Sequence, residues 1–174
     1  MLATLLAALV LTATGPDDFT AGPLITDFGP NAEVDVEMVT PEGFVFRHSF
    51  DFAAEADAGE LNRHLVSAAR FLNMHARAGV PVENLNLAIV VHGAGVHDVA
   101  DAATYAARHD GAENANIALV EQLVEYGVRI YVCGQSAAYY DVGTADLLPG
   151  VDMALSAMTA HAVLQAEGYT LNPF

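Results

Sequence analysis

At 174 residues the chain is about one domain long, enough to bury roughly 70% of its unfolded surface and hold a core without disulfide or metal. Its net charge is −16, with six arginines and no lysine, so its field repels phosphate backbones and anionic lipid and argues against nucleic acid as a partner. The hydrophobic fraction of 53% and mean hydropathy of +0.34 are high, but the excess is largely alanine, and no apolar run reaches the ~18 residues of a bilayer span.

Residues 1–15, "MLATLLAALVLTATG", read as a secretory signal peptide. An apolar core from Leu2 to Leu11 precedes small residues at which a peptidase would cut, near residues 13–18. No Lys or Arg precedes the apolar core, and the competing reading is a buried N-terminal helix or an uncleaved anchor. Export implies a periplasmic protein with no membrane association after processing. With one cysteine it can form no internal disulfide.

Residues 16–43, rich in Pro, Gly and acidic side chains and without period, predict an extended arm over the domain. "FVFRHSFDF" then alternates large apolar residues as a strand does. In "GELNRHLVSAARFLNMHARAGV", Leu61, Leu65, Ala68, Leu72 and Ala76 recur at helical steps and Gly79 stops the helix. Within it Met74 reads as core and His75 as a partner for the last carbonyls. "NLAIVVHG" (86–93) is a continuous apolar run of the buried parallel type, with Asn84 and Asn86 fixing its start.

A turn with His97 and Asp98 is expected to open a short alanine-rich helix through Arg108. "ANIALVEQLVEYG" is the next helix, "VRIYVC" the next strand and "GQSAAYYDV" a short helix. "VDMALS" reads as another strand, "AMTAHAVLQAEG" as a helix and "YTLNPF" as a last extended piece. Strands alternating with helices predict one α/β domain over 44–174, a mostly parallel sheet flanked by helices.

In such sheets ligands gather beyond the carboxyl ends of the strands. Two strands end suggestively, one at His92 and Gly93 and one at Cys133. A helix starting near Gln135 would aim the N–H groups of Gln135, Ser136 and Ala137 at the sulfur and favour thiolate. Gly134 would leave the approach open. The competing reading is an inert buried cysteine, because free Cys is among the most buried residue types. The alternative that His92 and His97 join Cys133 as a metal site or supply a base rests on a spacing that matches no standard motif, and no metal or cofactor is expected. Tyr139 and Tyr140 line the cysteine's pocket or a subunit interface.

"CGQSAAYYDVG" after an apolar strand, "ARFLNMHARAGVPVENLNLAIVVHG" before it and "LLPGVDMALSAMTAHAVLQAEGY" after it resemble the DsrE/DsrF-like family, and within it the exported branch, over residues 24 to 174. The resemblance implies a DsrE/YchN-like α/β domain with flavodoxin-like layering that assembles into homotrimers or homohexamers. It also implies that Cys133 is a persulfide carrier handing sulfur between a donor and an acceptor protein, with His92, Gly93, Gly134, Gln135, Ser136 and Tyr139 around it. Relay members tend to follow this cysteine with basic residues, whereas here Tyr139, Tyr140 and Asp141 stand ahead of Gly143, removing positive charge from an anionic persulfide. The alternative is a non-catalytic oligomeric binding module for a small ligand or a protein.

Overall fold

The computed structural model describes residues 15–172, so the leader expected at 1–15 lies almost wholly outside the described residues. Five strands form one sheet in the order β4-β3-β2-β1-β5, and every pairing is parallel. The strands are β1 Phe46–Phe52, β2 Leu85–Val91, β3 Arg129–Cys133, β4 Val151–Ala154 and β5 Thr170–Asn172. The helices are α1 Arg63–Arg77, α2 Ala102–Arg108, α3 Ile117–Glu125, α4 Gly134–Tyr139 and α5 Ala157–Ala166. The α/β fold read from the alternating pattern is therefore the fold observed.

The central strand β2 runs Leu-Asn-Leu-Ala-Ile-Val-Val because both of its faces are covered and only Asn86 is incompletely buried. On one face α1 and α3 pack over Phe50, Phe52, Leu87, Ile89, Val91, Ile130 and Val132. On the other, α5 lays Ala160 and Leu164 against Ala88 and Val90. Residues that alternate along a strand thus face different helices, and Ser49, Asp51, Tyr131 and Cys133 share the α5 side with Ala88 and Val90.

The segment after β2 departs from expectation. Gly93–Val99 winds as a 3-10 segment, and α2 begins only at Ala102, capped by Asp101, whose carboxylate accepts from Thr104 N at 2.8 Å. His97 and Asp98 are buried within this segment and do not open α2 directly. Asp98 accepts from Ala56 N (2.9 Å) and from Asn62 Nδ2 (2.7 Å), tying the loop after β1 and the start of α1 to this segment. Burial holds the Asp98 carboxyl above its ordinary value, opposed by the hydrogen bonds from Asn62 and Ala56.

Within residues 16–43, the stretch 20–31 lies against α1. Ile25 inserts fully into the core, and Asn73, buried on α1, clasps the chain around it. Asn73 Oδ1 accepts from Leu24 N and Ile25 N, while its Nδ2 donates to the carbonyls of Ile25, Phe28 and Gly29. Gly29 passes so close to α1 that a Cβ would lie 2.4 Å from Arg70 N, and its φ of 67° also calls for glycine. Met74 is not core: it is 40% exposed.

Candidate functional site

Parallel register brings three strand ends together. Val91 pairs with both Phe52 and Val132, so Asp51 of β1, His92 just past β2 and Cys133 at the tip of β3 lie at the same end of adjacent strands. Cys133 also pairs with Ala154 of β4, and α5 starts two residues after Ala154 at its cap Ser156.

The thiol is 6% exposed and serves as the capping residue of α4. Burial alone pushes it up, but the Ser136 hydroxyl and the N–H groups of Ser136, Ala157 and Gln135 turn their positive ends toward the sulfur. The balance leaves it below the ordinary thiol value. These groups face the sulfur without closing a formal capping hydrogen bond. The positive ends come from two elements, because Ala157 is the first residue of α5 while Gln135 and Ser136 open α4. Ser136 Oγ in turn accepts from Gly93 N at 2.9 Å, which leaves its own proton to turn toward the sulfur.

Two glycines make this packing possible. A Cβ on Gly134 would lie 2.7 Å from Ala154 O and 3.3 Å from Leu155 O, both fixed backbone, so the start of α4 sits directly on the end of β4. Gly93 adopts a φ of 54°, and a Cβ there would meet Ala53 O at 2.8 Å. Gln135 Nε2 donates to Leu155 O at 3.2 Å and closes the same corner. Tyr139 is 81% exposed, with its ring edge to face against Tyr140 at 4.9 Å.

The His92 main-chain N–H donates to Phe52 O at 3.0 Å, while its ring turns to a carboxylate. Its Nε2 lies 3.2 Å from Asp51 Oδ2, and His161 Nε2 of α5 lies 2.7 Å from Asp51 Oδ1, so one carboxylate holds two imidazoles on the α5 side of the sheet. Sequence reasoning missed Asp51 and His161. The available signals were a carboxylate between the two phenylalanines that end the strand, Phe50 and Phe52, and the only ionisable side chain between Ser156 and Glu167.

His97 goes elsewhere. It is buried, its ring edge meets Tyr140 at 5.2 Å and His109 at 6.2 Å, and burial holds its pKa below the ordinary imidazole value. The grouping of His92 with His97 on one pocket is therefore not realised, and among the described residues no three His, Cys, Asp or Glu side chains gather as a metal-holding group. His75 bonds through Nδ1 to Phe71 O at 2.8 Å, one turn back along α1.

Comparison with known proteins follows this geometry. The model of a family described as DsrE/DsrF-like matches residues 44–173. A solved structure of a protein of unknown function from Methanobacterium thermoautotrophicum is similar in fold, with TM-score 0.53 and 22% identity, covering 73% of this chain and 97% of that one. No curated protein matches.

Proposed function

Because the chain belongs to the DsrE/DsrF-like family, we propose that it serves in sulfur relay as an exported carrier of sulfane sulfur on Cys133. The observation that carries this reading is the thiol's setting at a β3–α4 junction, where donors of α4 and α5 outweigh burial and favour the anion. In the loading step the Cys133 thiolate attacks the sulfane sulfur of a polysulfide or persulfide donor. A new S–S bond forms on Cys133, the donor's S–S bond breaks, and its electron pair leaves on the donor thiolate. In the second step an acceptor thiolate attacks the outer sulfur, and the Cys133 thiolate departs. No oxidant is consumed.

Intact mass tests this reading. Polysulfide should add sulfur in units of about 32 Da that a thiol reductant removes, and Cys133→Ser should take up none. If the folded native protein takes up neither sulfur nor an alkylating agent and does so only after denaturation, sulfur carriage fails. The low exposure of Cys133, 6%, is the observation that favours the second reading, a non-catalytic binding module.

Two further proposals accompany this function. The mature chain begins between about Thr14 and Phe19 and works in the periplasm, which N-terminal sequencing of protein from its native host would test. Exposed Leu155, Met158 and Tyr139 around the thiol suit burial between copies in a trimer or hexamer, and a monomer peak in light scattering would exclude that assembly.

A further inference from the structure

On the face of the sheet opposite α5, a cleft of about 490 Å³ opens between α1 and the β1–β5 edge. One wall is a stripe of α1 at helical spacing, Arg63, Ser67, Arg70 and Met74, and Phe50 and Phe71 supply apolar surface. The size falls in the range of small-molecule sites, which pair apolar walls with a few fixed polar groups.

The arginines make this cleft unusual for the molecule. With 22 acidic residues to six arginines, carboxylate partners are abundant. Arg108 lies 3.9 Å from Glu55, Arg129 pairs with Glu167, and Arg77 is consumed by Thr20 and the backbone carbonyls of Thr20, Ala21, Gly22 and Asn31. Arg47, Arg63 and Arg70 have no carboxylate within 4.0 Å among the described residues, and two of these three line one cleft. Arg70 is steadied through Nε, which donates to Pro30 O at 2.8 Å, leaving its terminal nitrogens for another acceptor. Arg63 Nε reaches only His64 Nε2, at 3.5 Å. Seven residues of helix separate the two guanidinium stems by about 10.5 Å, a span both side chains can close over Ser67 from either side. Burial and Arg63 hold His64 below its ordinary value, opposed by Asp51.

We infer that this cleft binds a small organic anion, a carboxylate or sulfonate on a flat apolar body, with Arg63 and Arg70 on the charged group and Phe50, Phe71 and Met74 against the body. Planar guanidinium forks suit such groups, and an apolar body removes from water the side chains that the cleft leaves open. A highly acidic protein repels anions at large, so it takes them up only where cations are concentrated and unopposed.

Anilinonaphthalene sulfonate is the probe, and N-phenylnaphthylamine, the same kind of body without the sulfonate, is its control. The native full chain should bind the sulfonate saturably, one per chain, and phenylacetate should displace it. Arg63→Gln with Arg70→Gln should weaken binding by about tenfold or more while leaving the far-ultraviolet circular dichroism and the weak binding of the neutral control unchanged. The single variants, each removing one exposed side chain, should fall between. The inference is overturned if the double variant binds the sulfonate within about twofold of native, or if the neutral body binds natively as well as the anion. A double variant that changes only the assembly state, with probe affinity retained, also overturns it and makes the cleft a subunit contact.

Discussion

Cys133 and Ser136 show how neutral groups alone hold a buried thiol below its ordinary value. Ser136 bridges two elements, accepting from Gly93 N while turning its proton toward the sulfur, so Ser136→Ala removes one donor to the sulfur and orphans a part-buried N–H. Its alkylation rate at neutral pH should fall, the midpoint of the rate–pH profile should move up, and an unchanged midpoint would refute the role given to Ser136. The linkage sign follows from the depressed folded value: the donors stabilise the fold above the unfolded thiol's pKa, and that contribution is lost as pH falls through the folded one. The position of Cys133 was readable because an apolar strand running into Cys-Gly marks a strand end. Asp51 and His161 were not, since 110 residues separate them and only the parallel register and the seating of α5 bring them together. His97 was misread because an imidazole in a Gly-rich turn carries no local sign that Val96 and Val99 on either side are core.

Among the elements, the junction of α4 with β4 tolerates little added volume. Gly134→Ala puts a methyl group 2.7 Å from a backbone carbonyl, and α4 has only six residues with which to adjust. The variant should lose about 1–3 kcal/mol in chemical denaturation and shift the thiol's pKa upward, because the N–H groups of Gln135 and Ser136 move with the helix start. Native stability in that variant would mean the corner is looser than its contacts imply. Helix and strand existence was legible from apolar period, and the stops at Gly79 and Gly127 were legible from glycine, both of which adopt positive φ. What escaped was the 3-10 segment Gly93–Val99: its conformation is dictated by Asp98 meeting Ala56 and Asn62, partners about 40 residues away, rather than by its own propensity.

For the molecule as a whole, charge is the largest unbalanced quantity. A net −16 on one domain should make the fold more stable as salt screens self-repulsion, so the melting temperature should climb between about 0.01 and about 0.5 M sodium chloride, where the Debye length contracts from about 30 Å to a few ångström. A melting temperature that stays flat or falls would show that specific ion pairs outweigh the global repulsion. The α/β class was legible because it depends only on the order of apolar runs, whereas the path of residues 20–31 depends on side chains of α1 far along the chain, Asn73, Arg70 and Arg77. Asn73 holds Leu24 and Ile25 by their amides although neither lies in a helix or strand. In the language of hydrogen exchange, these two N–H groups behave as core amides on an irregular segment: they exchange only when the arm lifts from α1 or the whole domain opens. Their protection therefore measures the free energy of arm detachment separately from that of global unfolding.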